Sequence, residues 1–210
     1  IEGKYKTEKY VCPCASLTLP ETFEEYKKIL SKSTRQNIRT AINRQKRDGK
    51  NLTHEMIYVL DEETENTLMR IRAERLPLKK KHVYKNCSFA GKVYNHMRDV
   101  MVKLFAAEQN VIHENCNPWC FLVKEGERIA GFYWGITNDD KSEYYIILAG
   151  IEEDYAWYSP CVSHFYLYIE ELYAAENNQI KVFDFTRGGE PYKKDLGAEV
   201  KMSYRIDFKI

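Results

Sequence analysis

The order of predicted strands and helices after residue 50 constrains the fold more than any other feature of the sequence. Apolar residues alternate with a period of two in the strand-like segments and recur with a helical period in the others. In order, the predicted elements cover residues 52–60, 61–76, 89–109, 119–124, 128–137, 142–150, 162–175, 180–186, 190–196 and 200–208. We therefore predict an α/β (α+β) domain of order β-α-α-β-β-β-α-β-α-β, with a loop at Lys79–Lys85 between its first two helices.

Two shorter helices are predicted ahead of this alternation. Thr22 and Glu25 have the spacing of a capping box, and Ser33 with Gln36 repeats that spacing before a second helix that Gly49 ends. Nine basic residues but one acidic residue, Asp48, lie between positions 27 and 50. We predict an N-terminal segment of residues 1–50, which could belong to a larger upstream lobe, and a domain of residues 51–210.

The net charge of the whole chain does not reveal this local basic segment. The chain has 32 Lys and Arg against 31 Asp and Glu, a formal net charge of +1, which excludes an overall nucleic-acid-binding character. Residues 27–50 therefore have three interpretations: a solvated helix face, a surface for an anionic acceptor, or, less favoured, a surface for tRNA. No apolar run is long enough to span a membrane and no signal peptide is evident, so we predict a cytoplasmic protein without a membrane span.

The cysteines are predicted to be reduced. A chain of 210 residues can build its core without disulfides, and cytosolic thiols stay reduced. A zinc site is the alternative, although no paired CxxC motif is present, and we predict none. Its ligands would come from Cys12, Cys14, His113, Cys116 and Cys120.

Several local motifs in the chain match one known family in their order and spacing. They are Leu19-Pro-x-x-Phe-x-x-Tyr26 leading into SKSTRQNIR at 31–39, RAER at 72–75, Tyr158-Ser159-Pro160, and DFTRG at 184–188 followed by Tyr192-Lys193. With the order of elements, they resemble the GNAT-superfamily N-acyltransferases, in the branch related to Fem aminoacyl transferases and to acetyltransferases associated with cellulose biosynthesis. The resemblance implies a mixed, mostly antiparallel central sheet flanked by helices.

The resemblance also implies a site for acetyl-CoA or another acyl-CoA as co-substrate. Pro160 suits the first position of a helix, whose N-terminal N–H groups and dipole favour a pyrophosphate. The residues implied in this site are Leu148, Ala149, Gly150 and Ile151 at a strand end, and Ser159, Cys161, Val162 and Ser163 at the helix start. An ordinary capped helix is the alternative, and Cys161 departs from the branch, which has glycine there.

Acyl transfer needs a polarised carbonyl, a deprotonated amine and a proton for the leaving thiolate. The resemblance implies that a backbone N–H of residues 148–151 polarises the carbonyl and that Tyr192 is the candidate acid. Glu190 or Asp184 is the candidate base. Asp184 lies in an apolar strand and therefore predicts an ion pair with Arg187 or Lys193. Packing of Tyr192 and a structural ion pair are the alternatives.

The remaining candidates are substrate-binding residues. They are Arg72, Glu74, Arg75, Arg187 and Lys193. The resemblance implies that the helix end at residues 72–75 borders the acceptor groove, and a solvated charged face is the alternative. The sequence thus predicts an N-acyltransferase that moves an acyl group, most simply acetyl, from acyl-CoA to an amine on a small or sugar-like acceptor by direct attack in a ternary complex. An aminoacyl-tRNA-dependent Fem-type transferase and a catalytically silent GNAT-like binding module are the alternatives.

Overall fold

The computed structural model describes residues 5–83 and 117–208, with side chains at 13–72, 74 and 117–202. These residues are built around one seven-stranded sheet. The strands are β1 (Tyr5–Thr18), β2 (Leu52–Ile57), β3 (Asn117–Glu125), β4 (Arg128–Thr137), β5 (Glu143–Ile151), β6 (Val182–Arg187) and β7 (Glu199–Phe208). The helices within these residues are α1 (Phe23–Ile29), α2 (Lys32–Arg47), α3 (Glu62–Val83), α4 (Pro160–Ala174) and α5 (Pro191–Asp195), with a 3-10 helix at Glu153–Tyr158.

The strand order is β2-β3-β4-β5-β6-β1-β7. Every neighbouring pair is antiparallel except β5 and β6, which are parallel and joined through α4. Parallel neighbours need such a crossover, whereas β3, β4 and β5 are joined by short turns. The predicted fold class, a mixed and mostly antiparallel sheet flanked by helices, is confirmed.

The two faces of the sheet are covered by different helices. On one face Phe165 of α4 lies edge-on to Phe121, Tyr133 and Phe183, with ring centroids 5.4, 5.2 and 4.8 Å away. On the other face Leu68 and Ile71 of α3 join a buried cluster whose sheet residues are Cys120, Leu122, Ile129, Phe132, Trp134 and Leu148. Burial of large apolar side chains on both faces stabilises the sheet as the central layer.

Helix boundaries follow local capping signals. The capping box of Thr22 and Glu25 is present at the start of α1, and Gly49 adopts φ +67° after α2, as expected. The second predicted cap is wrong by two residues, because Ser31 rather than Ser33 accepts a hydrogen bond from the Thr34 N–H at 3.0 Å. A serine can cap only the N–H groups two or three residues ahead, so helix position decides between two nearby serines.

Two elements differ from the sequence prediction. The strand β1 was not predicted, yet it lies inside the sheet between β6 and β7. The helix α3 continues through Pro77 to Val83, so the predicted loop at 79–85 is wrong over its first five residues. A proline removes one helical hydrogen bond but holds φ at a helical value, so a helix can pass through it. The predicted helix at 89–109 lies outside the described residues.

The N-terminal segment shares the sheet and its packing with the rest of the chain. β1 pairs through Cys14–Thr18 with β6, and α2 packs against α4. The boundary predicted at residue 50 therefore follows a change in composition rather than a gap in packing. None of the described helices is long and apolar enough to cross a membrane.

A β-bulge in β5 shapes the region beside β6. Trp134 of β4 faces Leu148, but the next residue, Gly135, faces Ile146, so Ile147 is the extra residue. A Cβ at Gly135 would lie 1.7 Å from the carbonyl oxygen of Tyr145, so only glycine allows the strands to approach this closely. The bulge bends β5 at the point where its ladder with β6 ends.

Candidate active site

A cavity of about 300 Å³ opens where β5 and β6 diverge. Their parallel ladder ends at the pair Tyr145–Asp184, and one step further the Thr186 hydroxyl donates to the Ile146 carbonyl at 2.9 Å. Beyond this point no strand among the described residues pairs with the β6 side of β5. The walls of the cavity come from β5, β6, α3 and the first turns of α4 and α5.

The predicted donor residues divide into two groups. Six of them line the cavity: Leu148, Ala149, Gly150, Ile151, Cys161 and Val162. Ser159 instead adopts the left-handed conformation, with φ 45° and ψ 51°, at the cap of α4. Ser163 is fully buried, and its N–H donates to the Ser159 carbonyl at 3.1 Å. The resemblance implied Ser163 in the donor site, but its N–H makes the first hydrogen bond of the helix and does not point outward to a ligand.

Cys161 replaces the glycine of the related branch without projecting into solvent. The residue is 2% exposed, and its thiol lies 3.4 Å from the Gly150 carbonyl oxygen. The space is provided by Gly131 of β4, where a Cβ would lie 2.6 Å from the sulfur. The thiol is therefore accommodated between α4 and the sheet.

Tyr192, Glu190 and Arg187 also line the cavity. The Tyr192 ring stacks on Tyr133 with centroids 6.2 Å apart and planes at 15°, and it meets Phe185 edge-on at 6.3 Å. These two contacts fix the direction of the phenol. The sequence placed Tyr192 and the end of β5 in one site, and the structure brings both to one cavity.

Lys193 is a buried cation that holds the turn between β6 and α5. Its ammonium donates to the carbonyls of Phe185, Arg187 and Gly188 at 2.8, 2.6 and 3.2 Å, and it pairs with Glu190 at 2.9 Å. An ammonium has three donors, and here four acceptors already surround it. These contacts give Lys193 a structural role at the turn, and its substrate-binding role stays a prediction.

Asp184 does not make the predicted ion pair with Arg187 or Lys193. Its carboxylate accepts the backbone N–H of Thr186 at 2.6 Å, and Thr186 has a left-handed φ of 54°. Side chains alternate along β6, so Asp184 points away from the core face that Phe183 and Phe185 occupy. It does not line the cavity, which leaves Glu190 as the candidate base that does.

The three candidate substrate-binding residues on α3 lie in different environments. Arg72 lines the cavity. Glu74 is exposed and accepts two hydrogen bonds from Arg70, at 3.1 and 3.0 Å. Arg75 lies in the helix, but its side chain is outside the described residues. The structure therefore brings Arg72 to the cavity and places Glu74 in a surface ion pair.

Comparisons with known proteins follow this geometry. A family model described as an acetyltransferase (GNAT) domain matches residues 32–194. The chain belongs to the GNAT family. A search of curated proteins gives no match to this GNAT chain. The narrower resemblance to the Fem and cellulose-associated branch stays a prediction.

Two solved structures share the fold of this GNAT domain. A conserved protein of unknown function from Bacteroides thetaiotaomicron VPI-5482 is 11% identical with a TM-score of 0.53, and the alignment covers 98% of this chain and 62% of that one. The C-terminal domain of a candidate lysylphosphatidylglycerol synthetase from Agrobacterium fabrum is 12% identical with a TM-score of 0.51, over 98% and 61%. At these identities the likeness concerns the fold alone, and the chain spans about three fifths of each structure.

The predicted zinc alternative lies partly outside the described residues, which include neither His113 nor Cys116. In the described part of the GNAT domain the cysteines with described side chains are Cys14, Cys120 and Cys161, of which Cys120 and Cys161 are buried. No group of three potential metal ligands occurs there. Burial raises the pKa of the Cys120 thiol far above its ordinary value, so Cys120 is a packed thiol of the core.

A polar network that the sequence analysis did not identify supports the first turn of α4. Gln45 of α2 donates to the Tyr158 carbonyl at 3.1 Å and to the Ser163 hydroxyl at 3.0 Å. Its amide oxygen therefore faces His164 and accepts the Nε2–H of that ring at 3.2 Å. Nδ1 of His164 must then accept from Nδ1–H of His54, 3.1 Å away. The network links α2, α4 and β2 and fixes where α4 begins.

We expect this network to make the stability of the GNAT domain depend on pH. Burial and the neighbouring His54 lower the pKa of His164 from 6.5 to about 4. Because the unfolded chain takes up the proton first, the free energy of unfolding should fall as the pH falls from 6.5 to 4, by about 2 kcal/mol. Chemical denaturation of the wild type and of His164→Gln at several pH values measures this effect.

The variant is also the control for the pair of His54 and Glu171, which lie 3.1 Å apart and are present in both proteins. The wild type should lose about 2 kcal/mol more than His164→Gln between pH 7 and pH 4.5. A constant difference between the two proteins across that range would contradict the assignment.

Proposed function

We propose that this protein is an N-acyltransferase that moves an acyl group, in the simplest case acetyl, from acyl-CoA to an amine on a small or sugar-like acceptor by direct attack in a ternary complex. The observation that carries the proposal is the cavity between the diverging strands β5 and β6. The first turn of α4 lines one part of it and Tyr192 with Glu190 lines another. Membership in the GNAT family supports acyl transfer.

The donor would be held by backbone groups. The side of β5 that faces away from β4 offers N–H and C=O groups beyond Ile146, which suits the amides of a pantetheine arm. The N–H groups of Cys161 and Val162 precede the first helical hydrogen bond of α4. They lie at the positive end of the helix dipole, which favours binding of a pyrophosphate there. These features are properties of the fold and need no charged side chain.

The transfer step follows from the residues around the cavity. The amine nitrogen attacks the thioester carbon, whose oxygen is polarised by a backbone N–H of residues 148–151. The carbon–sulfur bond breaks, Glu190 accepts the ammonium proton directly or through water, and the Tyr192 hydroxyl donates a proton to the leaving thiolate. The products are an amide and free CoA, and proton exchange with solvent restores Tyr192 and Glu190.

An aminoacyl-tRNA-dependent transfer is the second candidate, and exposed cations favour it. Lys32, Arg35, Arg39 and Lys46 are all exposed on α2. The structurally similar domain from A. fabrum is described as the C-terminal domain of a candidate lysylphosphatidylglycerol synthetase. Arg44, by contrast, stacks on Trp157 with its guanidinium 3.8 Å from the ring centroid, so it belongs to a protein contact.

Titration of acetyl-CoA by calorimetry tests the proposal. The wild type should bind, and Val162→Pro should weaken binding at least about 10-fold, because proline removes an N–H donor to the phosphates while tolerating the first turn of a helix. Val162→Ala keeps the donor and should bind like the wild type. Equal binding of acetyl-CoA by both variants would show that the first turn of α4 does not bind the donor.

The same titration, together with a measurement of CoA release, distinguishes the three candidate functions. No binding at millimolar acetyl-CoA would reject the acyl-CoA proposal and leave the tRNA-dependent transfer as the stronger candidate. Binding of acetyl-CoA without release of CoA in the presence of any amine would instead favour a catalytically silent module.

A further inference from the structure

The guanidinium of Arg72 is a half-buried charge that lines the cavity without a counter-charge. It forms no ion pair and no hydrogen bond with any of the described residues, although its neighbour Arg70 on the same helix pairs with Glu74 and Glu152 at 3.0 and 3.3 Å. Loss of hydration lowers the pKa of Arg72, but a guanidinium remains charged at neutral pH.

An uncompensated charge in a partly buried position is costly, so its presence needs a reason. A solvated surface arginine such as Arg70 has no such cost, because water and two carboxylates surround it. A ligand that brings a negative charge into the cavity would offset the loss of hydration at Arg72.

The charges of the described residues that line the cavity point the same way. Among these residues, Arg72, Arg187 and Lys193 are the cations and Glu190 is the one carboxylate. Lys193 and Glu190 pair at 2.9 Å and cancel each other, so three cations against one carboxylate leave two positive charges uncompensated. Arg187 is exposed and has no ion-pair partner among the described residues. The cavity is therefore positively charged next to the proposed catalytic groups.

We propose that the acceptor carries an anionic group, a carboxylate or a phosphate, which Arg72 binds together with Arg187. The inference rests on the proposed function and narrows its acceptor class to anionic amines. Arginine suits this role because its planar fork of donors matches both anions. The CoA phosphates have a separate partner in the first turn of α4, whereas Arg72 comes from α3, a different wall of the cavity.

The anionic group itself is the probe that tests this site. Inorganic phosphate and, separately, acetate are titrated into the full chain saturated with CoA, and binding is followed by calorimetry or NMR. At least one of the two anions should bind at millimolar concentration. Arg72→Gln should weaken that binding about 10-fold, as expected for loss of a charge-assisted bidentate contact.

Arg70→Gln is the matched control, since it removes the same charge from the same helix at an exposed and already paired position. It should leave anion binding unchanged. Equal losses in the two variants, or binding of neither anion, would overturn the proposal.

Saturation with CoA separates the two sources of the anion. If CoA displaces the phosphate or acetate, Arg72 serves the donor and the anionic acceptor is rejected. If acetyl-CoA does not bind at all but an anion still binds in an Arg72-dependent way, the proposed acyl transfer from acyl-CoA is rejected. The anion site at Arg72 then stands on its own.

Discussion

Lys193→Met should lower the free energy of unfolding by about 3 kcal/mol, because the change leaves three backbone carbonyls at the turn after β6 without their shared donor. The side chain of Lys193 is 3% exposed, so water cannot replace the ammonium. Methionine has a similar length and fills the same volume, so the loss measures the polar contacts rather than a cavity. Equilibrium denaturation in urea, followed by circular dichroism, gives the value.

Two variants control this experiment. Lys194→Met removes a charge from the next residue, which is exposed, and should change stability by less than about 0.5 kcal/mol. Glu190→Gln leaves the three carbonyl contacts of Lys193 intact and removes a half-exposed ion pair, which costs about 1 kcal/mol or less. A loss in Lys193→Met no larger than in Lys194→Met would show that the turn does not depend on the ammonium.

Tyr192→Phe should lower kcat for acetyl transfer at least about 100-fold, since general acids contribute about 10²- to 10⁴-fold. The ring contacts with Tyr133 and Phe185 remain, because the substitution removes a hydroxyl and no carbon. We therefore expect the fold and the affinity for acetyl-CoA to be preserved while the chemical step slows. Release of CoA from acetyl-CoA, measured by thiol detection with a reactive amine, gives the rate.

Tyr166→Phe is the matched control for the loss of one hydroxyl. Tyr166 lies on α4 against Phe23 and Tyr26, away from the residues that line the cavity. Its variant should retain the wild-type rate. A Tyr192→Phe enzyme as fast as Tyr166→Phe would mean that water protonates the leaving thiolate.

Local signals in the sequence predicted most of the elements. Thr22, Asp61 and Pro160 mark helix starts because caps and first-turn proline act within a few residues of the chain. The strands β3, β4 and β5 were predicted within two residues of their observed bounds, because short turns join them and their side chains alternate. Such signals survive in a single sequence since they depend only on near neighbours.

The strand β1 was not predicted because its partners are remote in the chain. Thr18 pairs with Val182 of β6, and Ser16 pairs with Glu199 of β7. Pro13 interrupts its pattern, which weakens a strand signal in the sequence. Pairing with two long-range partners overrides this local preference.

The candidate site was predicted in outline but not in its contacts. The order of elements placed Tyr192, Glu190 and the end of β5 together, and these line one cavity. The four acceptors around Lys193 and the missing partner of Arg72 depend on side-chain positions in separate elements, which no spacing rule encodes. The link between His54 and His164 likewise joins residues more than a hundred positions apart.

The position of β1 in the sheet affects the order in which this domain can fold during translation. β1 precedes the other strands in the chain, whereas the two strands that flank it, β6 and β7, follow all the others. During translation β1 must wait as an unpaired strand, while β2 to β5 can already associate with one another. The cavity wall next to Tyr192 can therefore form only after β6 has been synthesised, and Pro13 in β1 reduces the risk that the unpaired strand pairs with another chain.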